Sequence, residues 1–150
     1  MPETRPLPVL LAALAPRMLQ LAGRMADGTI TWMAGVKTIA SHVVPRLHAA
    51  AREPGRPAPR VCVGLPIAVT DDVTGAHEAA ACLCERYGQL TNYRCLLAIK
   101  AAQRPADVTV MGNEGEVTRQ LRALARAGAT DFQAAIFPVG DDAAGSRART

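Results

Sequence analysis

The chain has 150 residues, 49% hydrophobic and 20% charged, a balance that excludes a disordered chain and fits one globular domain. Its net charge of +4 comes from scattered arginines rather than a basic block, and an aromatic content of 3% excludes the stacking platform of a single-strand nucleic-acid binder. No run approaches the roughly eighteen uninterrupted apolar residues of a membrane span, so a soluble, cytoplasmic chain without nucleic-acid or membrane partners is expected.

Pro6 to Trp32 reads as one βαβ unit. Arg5 and the apolar run after it superficially resemble a secretory leader, but the run continues into a helix with a regular polar face and is taken as the first strand. Val9 to Ala13 is continuously apolar, as a parallel strand must be when both faces are covered. Pro16 suits a first helical turn, where its missing N–H had no partner. Met18, Leu21, Ala22 and Met25 then share one helix face, predicted as buried, opposite Arg17, Gln20 and Arg24. Asp27-Gly28 is expected to end this helix through a left-handed cap, and Thr29 to Trp32 resumes as a strand. The N–H groups around Leu14, Ala15 and Arg17 would then point from a helix N-terminus into the loop after a parallel strand. That geometry suits an anion, most often a phosphate; the alternative is an ordinary βα connection.

Met33-Ala34-Gly35 forms the next loop, and Ile39, Val43 and Leu47 predict a buried stripe on a helix kinked at Pro45. The stretch REPGRPAP at Arg52 to Pro59 is a loop by composition, and Val61 to Val69 is a strand in which Pro66 marks a bulge or an edge-facing position. Thr70-Asp71-Asp72 caps a helix over Val73 to Tyr87 with Val73, Ala76, Ala80, Leu83 and Tyr87 on its apolar face. A short helical segment follows at Asn92 to Ala101. Val108 to Met111 is short and apolar, Asn113 caps a helix whose stripe is Val117, Leu121, Leu124 and Ala125, and Asp131 to Phe137 is the last strand.

Little in this pattern supplies chemistry. Cys62, Cys82, Cys84 and Cys95 lack zinc-site spacing and read as reduced, mostly packed thiols. His42, His48 and His77 lie on helices far from any ligand pattern and read as solvated or capping residues, so no metal site is expected. No Walker loop, dinucleotide fingerprint or nucleophile elbow occurs, and no residue is assigned as catalytic.

The order of these segments does carry a resemblance. A small-residue loop with Pro16, a helix containing Leu21-Ala22-Gly23-Arg24, then Ala26-Asp27-Gly28 and Ile30 are continued by Val43-Val44-Pro45, by RVCVGLPIAVTD at Arg60 to Asp71 and by MGNEGEVTRQLRALARAGATDFQAAIF at Met111 to Phe137. Together they resemble the second half of the luciferase-like monooxygenase family, closest to its deazaflavin (coenzyme F-420)-dependent oxidoreductases. The resemblance implies an α/β fold: the C-terminal half of a (β/α)8 TIM barrel, about four parallel strands with flanking helices over residues 1–138, then a flexible polar tail at 139–150. It implies hydride transfer between a deazaflavin, or alternatively FMN, and a small organic substrate. Ala13, Leu14, Ala15 and Arg17 would contact the cofactor phosphate, and Trp32 and Met33 would line the substrate pocket; a core role for Trp32 is the other reading. Relatives often have Gly-Gly where this chain has Leu14-Ala15, and where some relatives place a phosphate-gripping lysine, Lys37 is displaced. The family's proton-handling groups lie largely on its first four strands, and Met1 falls just before the fifth. The alternative is therefore a non-catalytic half-barrel that binds cofactor weakly or self-associates. The inward faces of Val9, Leu11, Ile30, Val63, Ile67 and Ile136, or their neighbours, would lack a covering layer, so a homodimer or pairing with an N-terminal half-barrel is expected.

Overall fold

In the computed structural model, which describes residues 7–88 and 105–150, every strand pairing is parallel. The order is β1 (Leu10–Ala12), α1 (Pro16–Met25), β2 (Gly28–Trp32), a helical run made of α2 (Val36–Thr38), a π-helical turn (Ile39–Val43) and α3 (Val44–Arg52), then β3 (Arg60–Val69) and α4 (Val73–Gly88). After a 3-10 turn (Pro105–Val108) come β4 (Val110–Gly112), α5 (Glu114–Arg126), β5 (Asp131–Ile136) and α6 (Ala143–Arg149). The segment expected to be helical at Asn92 to Ala101 lies outside the described residues.

β3 is the hub of the sheet. Cys62 to Gly64 pair with both β2 and β5, and Ile67 pairs with both β4 and β5, so β2 and β4 share one edge of β3 and β5 takes the other. The main path is β1-β2-β3-β5, with β4 prolonging the β2 edge. Pro66 falls between the end of the β2 register at Gly64 and the start of the β4 register at Ile67, so its missing N–H breaks no ladder there.

Alternation along β3 sorts the core into two faces. Val61, Val63, Leu65, Ile67 and Val69 pack with Leu19 of α1, Val43, Leu47 of α3, and Val117 and Leu124 of α5. The expectation that Val63 and Ile67 face an uncovered interior is corrected: helices cover them. The opposite face carries Cys62, Gly64, Pro66 and Ala68, and its C-terminal end is closed by Ala76 and Ala80 of α4 with Met111, Phe137 and Val139.

α1 meets this core through a face one residue away from the expected one. Leu19, Ala22 and Gly23 are buried, whereas Met18, Leu21 and Met25 are exposed. The cause is α3: a Cβ on Gly23 would lie 2.5 Å from the Leu47 carbonyl oxygen and 2.8 Å from the Ala50 Cβ, so the glycine face is where the two backbones touch. Gly28 is likewise not a left-handed cap. The cap residue Ala26 is extended, and Gly28 opens β2 where a Cβ would lie 2.1 Å from the Arg60 carbonyl oxygen.

Ile39, Val43 and Leu47 are fully buried as expected, and the strain of Pro45 is met by the π-helical turn just before it. In α4, Ala76 and Ala80 are buried but Val73 and Leu83 are exposed; in α5, Leu121 is half-buried and Ala125 is exposed. Asn113 caps α5, its side chain accepting from Glu116 N–H at 3.0 Å. Residues 139–150, expected as a flexible tail, hold α6: Arg149 bonds both Asp71 and Glu114, and the Thr150 hydroxyl accepts from Val69 N–H at 2.9 Å. Cys62 is a buried free thiol and Cys82 an exposed one.

Candidate functional site

Because the strands are parallel, the loops after them gather at one rim. The loop from β1 to α1 is Ala13, Leu14 and Ala15, and each of its carbonyls is tied to the protein. The Thr29 hydroxyl donates to the Leu11 carbonyl at 2.8 Å and lies 3.4 Å from that of Ala13. His42 Nε2 sits 2.8 Å from the Leu14 carbonyl, and Leu19 N–H donates to that of Ala15 at 3.0 Å. Ala13 N–H is spent on the Ile30 carbonyl at 3.3 Å. Among the described residues nothing engages the N–H of Leu14 or Ala15.

The start of α1 has neither a side-chain cap nor an acidic residue in its first turn. With the carbonyls turned inward and no carboxylate nearby in sequence, the partial positive charge of the helix N-terminus is uncompensated. Arg17 is exposed beside it and bonds no other described residue. The four residues expected at the cofactor are therefore brought together in distinct roles. Ala13 is buried as the floor and Leu14 half-buried, while Ala15 and Arg17 are exposed at the mouth. This arrangement fits the phosphate end of a cofactor, even with Leu14-Ala15 in place of two glycines, because the donors are main-chain groups.

Trp32 and Met33 diverge. Trp32 is half-buried and packs against the edge of the main core cluster, and its Cε3 would lie 3.0 Å from a Cβ on Gly64. Met33 has a left-handed backbone (φ 58°), rare for a side-chain-bearing residue, and its N–H donates to the Gly64 carbonyl at 3.1 Å. That twist carries its side chain into the helix-side core.

A cavity of about 280 Å³ lies elsewhere, on the helix side of the sheet, walled by Val36, Lys37, Leu65, Val110 and Leu124. It does not include the Leu14–Ala15 loop. His42 is the residue that sequence reasoning missed. It was read as a solvated or capping group, yet it is 8% exposed and bonded to the loop; its place between the buried Ile39 and Val43 is the signal that was available. Asp71 and Asp72 belong to the helix start as expected, Asp72 accepting from Gly75 N–H at 2.9 Å.

The strongest electrostatic shifts are structural. The Arg60 guanidinium grips Asp131 at the opposite, N-terminal ends of β3 and β5 and holds its carboxyl down to about 2. Arg149 does the same for Glu114, also lowered to about 2. Burial pushes the Cys62 thiol up. Among the described residues no cluster of His, Cys, Asp and Glu is placed to hold a metal ion, and no helix is long and apolar enough to cross a membrane.

Parallel strands alternating with helices, their loops collected at a C-terminal rim, define half of a (β/α)8 barrel. The comparison with known families makes this specific: the chain belongs to the luciferase-like monooxygenase family, whose model matches residues 1–131. Among solved structures it is similar to an F-420-dependent secondary alcohol dehydrogenase in complex with an F-420–acetone adduct, at 20% identity and TM-score 0.68 over 88% of this chain and 44% of that one. A coenzyme F-420-dependent tetrahydromethanopterin reductase from Methanopyrus kandleri matches at 21% identity and TM-score 0.65, over 90% of this chain and 46% of its own. The EDTA monooxygenase of Chelativorans sp. BNC1 matches at 16% identity and TM-score 0.61, over 95% and 42%. The chain thus spans less than half the length of each. No curated protein matches.

Proposed function

We propose that this chain is the phosphate-holding, C-terminal half of a deazaflavin-dependent oxidoreductase, active in the cytoplasm on a small organic substrate once an N-terminal half-barrel completes it. The observation that supports this reading most is the loop after β1, where three tied-back carbonyls, two unengaged N–H groups and Arg17 stand at a helix start. The F-420 dependence of two of the similar proteins favours deazaflavin over FMN, which the same loop would also accept.

Leu14 and Ala15 would hold a phosphate through main-chain N–H groups, and Arg17 would add charge from the rim. Trp32, whose ring reaches Gly64, would exclude water beside it. A bound deazaflavin supplies the hydride chemistry. Proton transfer is left to the completing half, since the described rim offers Asp71 and Glu114 only as partners of Arg149.

Completion is favoured by the surface. Leu7, Val9, Met18, Leu21 and Met25 are exposed around β1 and α1, and β1 and β5 each have one open edge among the described strands. Fluorescence titration of the full chain with F-420 and with FMN tests the reading, followed by hydride turnover with an N-terminal half-barrel added. Saturable F-420 binding weakened by Arg17→Ala is expected; a folded chain that binds neither cofactor contradicts it.

A further inference from the structure

His42 is a buried histidine in the π-helical turn, on the same side as Ile39 and Val43. A buried imidazole needs a polar partner, and the Leu14 carbonyl at 2.8 Å supplies it. The carbonyl belongs to the peptide joining Leu14 to Ala15, and no peptide in the described chain is cis. In a planar trans peptide the C=O and the following N–H point in opposite directions. Pulling the Leu14 oxygen toward His42 therefore turns the Ala15 N–H away from the core, on the side where Ala15 and Arg17 are exposed. Thr29 acts in the same sense one peptide earlier, its hydroxyl 3.4 Å from the Ala13 oxygen, but its shorter bond is to Leu11.

We infer that His42 is a positioning residue: through its hydrogen bond to the Leu14 carbonyl it fixes the Leu14–Ala15 peptide so that the Ala15 N–H faces a bound anion. Both the neutral Nε2–H tautomer and the imidazolium donate, so the bond needs no change of charge. The histidine acts from a different helical run, 28 positions along the chain, so the geometry of the loop depends on how the π-helical turn is seated. Without it the peptide is free to flip, and a flipped peptide presents a carbonyl oxygen to the anion.

The inference rests on the cofactor reading for the anion site itself, and on the contact between His42 and the Leu14 carbonyl for the positioning role. Inorganic phosphate is therefore the probe, titrated into the ¹⁵N-labelled full chain while the Leu14 and Ala15 amide signals are followed. In the wild type and in His42→Gln, whose side-chain amide can reach the same carbonyl, both signals are expected to move on one binding curve. In His42→Ala the apparent affinity should fall about tenfold, the effect of losing one such bond. If His42→Ala does not unfold cooperatively, His42→Phe, which keeps the ring volume but not the donor, replaces it. An undiminished response in the donor-less variant, or a folded wild type in which neither amide moves, overturns the inference. A His42-dependent phosphate response in a chain that binds no deazaflavin would uphold the positioning role and remove only the redox reading.

Discussion

Gly23 of α1 lies against Leu47 of α3 so closely that a Cβ on the glycine would come within 2.5 Å of the leucine carbonyl oxygen. The obstruction is backbone, so it cannot be relieved by a rotamer change. Gly23→Ala should destabilise the chain by about 1–3 kcal/mol despite the better helix propensity of alanine, and Gly23→Val by more. Urea unfolding checks this: the midpoint should fall with little change in slope.

Gly64 and Trp32 offer a spectroscopic counterpart. Trp32 is the sole tryptophan of the chain, and a Cβ on Gly64 would meet its Cε3 at 3.0 Å, the Thr31 oxygen at 3.0 Å and Gln133 Oε1 at 3.1 Å. Gly64→Ala should therefore shift the indole toward solvent and red-shift its emission, together with a stability loss of about 1–2 kcal/mol. Unchanged emission would mean that the ring does not rest on this glycine.

Acid sensitivity follows from the two gripped carboxylates. Asp131 and Glu114 are lowered to about 2 from 3.8 and 4.5, so each binds its proton more weakly folded than unfolded. The sign is that of a depressed acid: the stabilisation is present above the unfolded pKa and is lost as pH falls through the folded one. Thermal unfolding should thus lose its contribution between about pH 4.5 and 2. Asp131→Asn should flatten that slope, by a modest amount because both pairs are solvent-exposed.

The exposed residues on α1 predict association. Met18, Leu21 and Met25 recur on one helix face, and Met25 is 73% exposed. Leu21→Glu with Met25→Glu should abolish pairing, with an N-terminal half or with a second copy, while leaving the melting temperature of the monomer within a few degrees. Light scattering after size exclusion reads both arms; a monomeric wild type that takes up no partner would refute it.

Much of the fold was legible in the residues because local rules and burial agreed. The apolar run of β3, the Asn113 cap and the stripe Ile39, Val43, Leu47 needed no tertiary information. The contact face of α1 was not legible, because three large apolar side chains outweigh a glycine in any periodicity count, and only the approach of α3 decides between them. Gly28 was misread for the same reason, a close neighbour 32 positions away in the β2–β3 register. The loop after β1 was legible as a βα junction, but the partner of its Leu14 carbonyl was not, since nothing local marks His42 as reaching it. Met33 was legible at a strand end, but the inward turn of its side chain was not, because its backbone twist cannot be read from its type.

The most direct measurement is a crystal structure of the full chain grown with F-420. The account predicts a phosphate within hydrogen-bond reach of the Leu14 and Ala15 N–H groups, with the Arg17 guanidinium turned toward it. Density for the phosphate at any other part of the chain, with this loop bare, would contradict it.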